Sequence, residues 1–178
     1  CRFMELARRA GVFETIHGIH WDLRPRPHIG TLEVRVMDAQ PTVREAANLA
    51  SLLRVLVHYL KSRPGAMPPS ELPQPLPWWL EKENHFQASR LGLEAACITN
   101  EQGTVRLLAD VWRDVDATLR PLAEELGETE RFEELRQRVA DGLSYARQRE
   151  VQRRSGSLQA VVAALVQELE QELEMPTG

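Results

Sequence analysis

Hydrophobic and polar positions alternate along two short segments near the start of the chain. Side chains of a β-strand point to opposite faces in turn, and this alternation predicts strands over His17–Arg24 and Thr31–Asp38. The intervening segment Pro25–Gly30 holds two prolines and a glycine, which favour a turn. We therefore predict an antiparallel hairpin over residues 17–38.

Apolar residues recur every three or four positions through the rest of the chain, which predicts a mostly helical segment over residues 42–174. Thr42 and Glu45 have the spacing of a capping box, in which the two side chains satisfy backbone donors of the first helical turn. The apolar face predicted for this helix consists of Ala46, Leu49, Ala50, Leu53, Leu56, Val57 and Leu60.

Later helices follow the same periodicity. They are predicted over Trp78 to about Ala96, from about Val105 to Gly127 with a break or kink at Pro121, and after Ser157, which can cap the last one. The predicted fold class is therefore α+β, with one antiparallel hairpin followed by mostly helices.

The start of the chain suggests a larger protein. No capping residue precedes the helical pattern of Phe3–Ala10, and the first residue is not methionine, so we expect an N-terminal segment to be missing. Processing of the chain is the alternative. An isolated two-stranded hairpin is only marginally stable in water. Its strands should therefore join a sheet built from missing N-terminal residues or pair with another chain.

Composition narrows the function classes. The chain has 178 residues, 43% of them hydrophobic and 27% charged, which suits one domain with a core. A net charge of −4 gives no general attraction to nucleic acid or to an anionic membrane surface. No segment resembles a signal peptide or a membrane span, and two distant cysteines form no disulfide framework, so we expect a cytoplasmic protein.

The candidate chemistry lies on the ionic face of the hairpin. Alternation brings Asp22, Arg24, Glu33 and Arg35 to one side. A carboxylate such as Glu33 is an oxygen ligand suited to Mg²⁺, and guanidinium groups bind phosphate oxygens in pairs. The alternative is a solvated sheet face whose charges pair across the strands. The pattern alone leaves both interpretations open.

Three stretches resemble a known family. Trp21-Asp22-Leu23-Arg24-Pro25, followed by Gly30-Thr31-Leu32-Glu33-Val34-Arg35 and Asp38, is similar to the W-D-x-R-P…G-T-x-E-x-R-x-x-D signature of the glutamate–cysteine ligase type 2 family. Asn84 to Leu93 resembles the later N-x-x-x-A-x-R-x-G-L segment of that family. The resemblance covers roughly residues 12 to 172 and suggests the C-terminal half of such a ligase.

The resemblance implies roles for the residues of the hairpin. The family has a glutamine-synthetase-like catalytic fold, and by that similarity Glu33 would be a metal ligand. Arg35 would contact the phosphates of the nucleotide and act in catalysis. Arg24 would bind the transferring phosphoryl group or the substrate carboxylate. Asp22 would orient Arg24 or hold a substrate amine.

The implied reaction uses ATP and Mg²⁺. A carboxylate, with glutamate as the best guess, is phosphorylated to an acyl phosphate, and an amine, with cysteine as the best guess, displaces phosphate to form an amide, as in glutathione-type biosynthesis. Asn84 and Arg90 are further nucleotide-binding candidates by the same resemblance. The partners implied are small molecules, not nucleic acid or membrane, and a homo-oligomer is left open.

The chain departs from the family in one respect. The family's other metal ligands lie on a G-x-E-x-E strand and a histidine-containing strand, and neither is found here. Residues 1–178 are therefore expected to form a single incomplete domain that is inactive alone. The alternative is a non-catalytic helical interaction module, or a subunit of a split enzyme, that recruits a partner through the edge of the hairpin.

Overall fold

The computed structural model describes residues 2–12 and 21–174. The chain divides into two compact units, Cys1–Ala39 and Gln40–Gly178. The architecture is α+β, as predicted, and it is mostly helical with two small antiparallel hairpins. The elements are α1 Arg2–Arg9, β1 Leu23–Arg26, β2 Thr31–Val34, α2 Val43–Lys61, α3 Trp78–Leu91, a 3₁₀ turn Gly92–Glu94, β3 Ala96–Ile98, β4 Val105–Leu107, α4 Leu108–Glu125, α5 Thr129–Asp141, α6 Ser144–Ser155 and α7 Leu158–Glu174.

The first unit contains the predicted hairpin with different strand limits. Strands β1 and β2 pair antiparallel, and both are four residues long. Strand β1 continues through Pro25 to Arg26, so the turn occupies residues 27–30 and not the whole of Pro25–Gly30. Residues 17–20 of the first predicted strand lie outside the described residues.

Pro25 fits inside β1 because of the alternating bond pattern of an antiparallel ladder. The N–H of Arg35 donates to the carbonyl of Asp22 at 2.7 Å, which makes those two residues a hydrogen-bonded pair. Pro25 faces Leu32 three positions along the ladder, at a pair of the non-bonded kind. The missing N–H group of the proline therefore costs the ladder no bond.

The second unit is built around packed helices. Its core joins α2, α4 and α5, and the residues of these helices bury apolar side chains against one another. The buried members are Val55, Tyr59, Leu119, Ala123 and Phe132. Within the described part of the chain, none of the helices combines the length and the apolar character that a membrane crossing requires.

Helix α2 begins as predicted but buries a different face. The Thr42 hydroxyl accepts a bond from the N–H of Glu45 at 3.2 Å, which confirms the Thr42 half of the predicted capping box, whereas the Glu45 carboxylate pairs with arginines instead. The buried residues of the helix are Glu45, Asn48, Ser51, Val55 and Tyr59. The predicted apolar face is wrong in part: Ala46, Ala50, Val57 and Leu60 are exposed, whereas Leu56 packs against the core. Glu45 is buried at the start of the helix because it meets ion-pair partners there, Arg138 and Arg147.

A second hairpin replaces part of a predicted helix. Helix α3 ends at Leu91, because Gly92 has φ +62° and ψ −135°, a conformation that residues with a Cβ atom rarely adopt. Strands β3 and β4 follow, pairing Ala96 with Leu107 and Ile98 with Val105. The prediction of a single hairpin was therefore wrong, because strands of three residues are too short to show an alternating pattern.

The C-terminal helices follow the sequence more closely. Helix α4 continues through Pro121 to Glu125, so the predicted interruption does not occur, although one backbone hydrogen bond is lost. The predicted stop at Gly127 is confirmed by its φ of +72°. The Ser157 hydroxyl accepts a bond from the N–H of Ala160 at 3.3 Å, as expected for the cap of α7.

Candidate functional site

The candidate site is one face of the first hairpin. The register places Arg24 directly opposite Glu33. The bond between Arg35 and Asp22 extends the same ladder by one pair beyond the strands. Directly opposed residues of antiparallel strands project to the same face, so Asp22, Arg24, Glu33 and Arg35 share one side of the hairpin, as the alternation predicted.

Arg24 and Glu33 form a two-pronged ion pair. The Nε of Arg24 donates to Oε2 of Glu33 at 3.0 Å, and its Nη2 donates to Oε1 at 2.9 Å and to Oε2 at 2.8 Å. The Arg24 side chain is only 11% exposed. Parallel bonds between a guanidinium and a carboxylate fix the orientation of both groups, so this pair holds the Glu33 carboxylate in place.

Two further arginines contact the same carboxylate. Nη1 of Arg26 lies 3.3 Å from Oε2 of Glu33, and Nε of Arg35 lies 3.5 Å from Oε1. The sequence interpretation missed Arg26, because it assigned that residue to the turn. Its spacing of two positions from Arg24 is the signal that could have placed it on the ionic face.

The three guanidinium groups change the acidity of Glu33. The hydrogen bonds from Arg24 lower the pKa of the Glu33 carboxyl below its ordinary value, and the positive charges of Arg24, Arg26 and Arg35 lower it further. Glu33 is therefore a carboxylate at neutral pH. The face carries three arginines and two carboxylates, Asp22 and Glu33, and this excess of positive groups suits the binding of an anion with several charges.

The ionic face also carries oxygen atoms that could bind a cation. Glu33 offers one carboxylate, the ligand type that Mg²⁺ prefers. Among residues 2–12 and 21–174, no group of three or more His, Cys, Asp or Glu side chains lies close enough to hold a metal ion. The role of Glu33 as one ligand of a larger metal site stays a prediction.

The other two predicted binding residues lie in the second unit. The amide nitrogen of Asn84, on α3, donates to the carbonyl of Ile98 at 2.7 Å, and its oxygen accepts from the N–H of Ile98 at 2.8 Å. Asn84 thus attaches α3 to strand β3. The exposed Arg90 places its guanidinium 5.3 Å from the ring centre of Phe86. The nucleotide-binding roles of Asn84 and Arg90 stay predictions.

A separate polar cluster fills the second unit beside the start of α2. The buried Glu45 carboxylate lies 2.6 Å from Nη2 of Arg147 and 3.6 Å from Nε of Arg138. Arg147 also pairs with Glu168 at 2.9 Å. Arg138, Arg147 and Glu168 border a cavity of about 280 Å³, which is also lined by Thr42, Arg44, Gln171 and Glu172. The cluster ties α2, α5, α6 and α7 together.

Comparison with known proteins decides the family. Residues 1–164 match the glutamate–cysteine ligase family 2. The chain belongs to this family. The resemblance carried by the hairpin signature is thereby confirmed, and the Arg24–Glu33 pair sits within the matched region of a glutamate–cysteine ligase family 2 member.

Three relatives illustrate the match. A protein of Trichormus variabilis, provisionally named glutamate–cysteine ligase 2, is 46% identical over 171 residues, covering 96% of this chain and 44% of the relative. One of Nocardia farcinica, provisionally named glutamate–cysteine ligase 2-2, is 40% identical over 91% of this chain and 42% of its own length. One of Thermobifida fusca, provisionally named glutamate–cysteine ligase 2, is 37% identical over 93% and 41%. The chain thus spans less than half the length of these relatives.

Proposed function

We propose that this chain is part of a cytoplasmic, ATP-dependent carboxylate–amine ligase of the glutamate–cysteine ligase type. The observation that carries the proposal is the grouping of Arg24, Arg26 and Arg35 around Glu33 in a member of this family. The hairpin would belong to the larger sheet of a glutamine-synthetase-like catalytic domain, to which the rest of the ligase contributes. The substrates would be glutamate and cysteine.

The reaction would need two steps. In the first, an oxygen of the substrate carboxylate attacks the γ-phosphorus of ATP, and the bond from that phosphorus to the bridging oxygen of ADP breaks. In the second, the amine nitrogen attacks the acyl carbon, the carbon–oxygen bond to phosphate breaks, and the amine loses a proton. Negative charge moves between phosphate and carboxylate oxygens in both steps, so fixed positive groups lower the barrier.

The residues of this chain would position groups and neutralise charge. The guanidinium groups of Arg24 and Arg35 would act on phosphate or carboxylate oxygens, and Asp22 would orient an arginine or the amine. Glu33 would supply one oxygen ligand to Mg²⁺, which neutralises phosphate charge when it is bound. Further metal ligands would come from outside the described residues.

The test is an assay of the complete ligase that contains this chain, with ATP, Mg²⁺, glutamate and cysteine. Release of ADP and phosphate together with γ-glutamylcysteine is the expected result, and Glu33→Gln should abolish it. Glu5→Gln is a matched control, because Glu5 forms an exposed ion pair with Arg9 in the same unit. Normal turnover by Glu33→Gln would show that the site is assigned to the wrong residue.

A second candidate function is a non-catalytic interaction module. In the described part of the chain the first hairpin has two strands, and Leu23 and Leu32 on its apolar face are 51% and 57% exposed. A partner could add a strand to its edge. In that case Glu33→Gln would leave partner binding intact, and the complete protein would convert no ATP with any carboxylate and amine.

A further inference from the structure

Arg26 belongs to the ionic face because β1 continues beyond Pro25. It pairs across the hairpin with Thr31, two positions along the ladder from Arg24 and Glu33. Residues two apart on a strand project to the same side. The face therefore carries three arginines, while Glu33 and Asp22 are the carboxylates that the ladder brings to the same side.

The three arginines differ in how firmly they hold Glu33. Arg24 uses Nε and Nη2 in bonds of 2.8–3.0 Å and is 11% exposed. Arg26 and Arg35 each approach the carboxylate at 3.3 Å and 3.5 Å, and their side chains are 25% and 32% exposed. Longer contacts at more exposed positions are more easily exchanged for a new anion. Arg24 is therefore the arginine least suited to leave Glu33 when a ligand arrives.

We propose that Arg26 and Arg35 together bind a phosphate group of the nucleotide, and that Arg24 is a positioning residue that holds Glu33 between them. This inference rests on the proposed function and revises it in one respect: Arg24 acts through Glu33 and not directly on phosphate or carboxylate oxygens. A polyphosphate offers several negative oxygens, so two partly exposed guanidinium groups on either side of one carboxylate can bind it at two points. A bound molecule with only one carboxylate group would gain less binding affinity from the second arginine.

The experiment measures binding of inorganic tripolyphosphate and of ATP to the complete ligase by isothermal titration calorimetry. Arg26→Gln is expected to raise the Kd of both by about tenfold or more, because one charge-assisted contact is lost. Arg26→Lys should recover part of the affinity, since it restores the positive charge but not the paired N–H donors of a guanidinium group. Arg9→Gln, which removes an exposed arginine of the same unit, should leave the Kd unchanged.

The role of Arg24 needs a readout other than activity. Arg24→Gln is expected to change the ¹³C chemical shift of the Glu33 carboxylate at a fixed neutral pH in NMR spectra of the ligand-free ligase, because the paired bonds at 2.8–3.0 Å are lost. Arg26→Gln should change that shift much less, since Arg26 contacts the carboxylate at 3.3 Å. Arg24→Lys should not restore the wild-type shift, because an ammonium group cannot make the paired bonds. Equal effects of Arg24→Gln and Arg26→Gln on that shift would overturn the division of roles.

The remaining outcomes separate this inference from the proposed function. If Arg35→Gln loses tripolyphosphate binding and Arg26→Gln binds as the wild type does, Arg26 is a structural counter-ion only and the inference fails alone. If Arg26→Gln weakens binding of glutamate but not of tripolyphosphate, the phosphate assignment is wrong. If the wild-type ligase binds neither ATP nor tripolyphosphate, the proposed function fails together with the inference.

Discussion

Glu33 is the residue on which the chemistry of the hairpin depends. Its pKa is lowered from the ordinary 4.5, first by the hydrogen bonds from Arg24 and then by the charges of three arginines. When the pKa of a carboxyl is lower in the folded state than in the unfolded chain, its ion pairs stabilise the fold fully at pH values above the pKa of the unfolded chain. That contribution is lost as the pH falls through the folded value. The hairpin face should therefore keep its arrangement at neutral and mildly acidic pH.

The first prediction concerns this titration. In the wild-type chain the Glu33 carboxyl should titrate below 4.5 in a pH series of NMR spectra, and in Arg24→Gln it should titrate closer to 4.5. A wild-type midpoint at or above that of Arg24→Gln would contradict the ion-pair geometry.

Asn84 illustrates how a binding candidate can have a structural role. Both polar atoms of its amide are bonded to the backbone of Ile98. We predict that Asn84→Ala lowers the free energy of unfolding by about 1–3 kcal/mol, measured by denaturant titration, because two hydrogen bonds are lost. Gln87→Ala, which removes an exposed bond to Glu83 on the same helix, should cost much less. Loss of ATP binding with unchanged stability would instead favour the nucleotide-binding role.

The junction after α3 leaves no room for a side chain at Gly92. Gly92 has a positive φ, and a Cβ atom there would lie 2.2 Å from Cζ of Tyr145. The Tyr145 hydroxyl accepts a bond from the N–H of Leu93 at 3.0 Å, so the ring is held against the junction. Helix α6 thereby fixes the point at which α3 turns into the second hairpin.

We therefore predict that Gly92→Ala destabilises the chain by roughly 2–4 kcal/mol, since strain and a clash add together. Gly103→Ala is the matched control, because Gly103 also has a positive φ but no neighbour within 4 Å of the new Cβ. Thermal unfolding of both variants measures the difference. Adding Tyr145→Ala to Gly92→Ala should recover part of the loss relative to the two single changes. Equal costs at the two glycines would exclude the clash.

Elements with a strong local signal were predictable, and elements that depend on distant contacts were not. The alternation around Arg24 and Glu33 predicted their shared face, and Thr42 predicted the start of α2. The second hairpin was missed because each of its strands has only three residues. It also depends on a distant contact, since the N–H of Ile98 donates to the side chain of Asn84 on α3. Arg26 was missed because the preceding Pro25 suggested a turn in the sequence. In the structure Pro25 lies at a non-bonded position of the ladder, where a strand can contain a proline.

At the scale of the whole molecule, α2 has two faces that serve different partners. Its polar face packs inside the second unit, where Glu45 meets Arg147 and Arg138. Its opposite face leaves Val57 47% and Leu60 57% exposed. The sequence identified the apolar residues correctly but could not show which side the helical unit covers. Which side of α2 is buried depends on Arg138 and Arg147, which lie far from Glu45 in the sequence.

The exposed face of α2 leads to the last prediction. If the proposed function holds and this chain is part of a ligase as long as its relatives, which are more than twice its length, we expect the rest of that ligase to cover Val57 and Leu60. Leu60→Asp should then cost the complete ligase about 3 kcal/mol or more in unfolding free energy, as burial of a charge does. Lys61→Gln, at the exposed neighbouring position, should cost little.

Glu45→Gln provides the comparison from the other face. It leaves Arg147 with one carboxylate fewer in a buried setting, so it should destabilise residues 40–178 and the complete ligase alike. Leu60→Asp should destabilise only the complete ligase, because in the second unit alone its side chain already faces solvent. Hydrogen exchange along α2 in the two proteins measures both effects. If Leu60→Asp leaves exchange in the complete ligase unchanged, the apolar face of α2 is not where the remainder of the ligase packs.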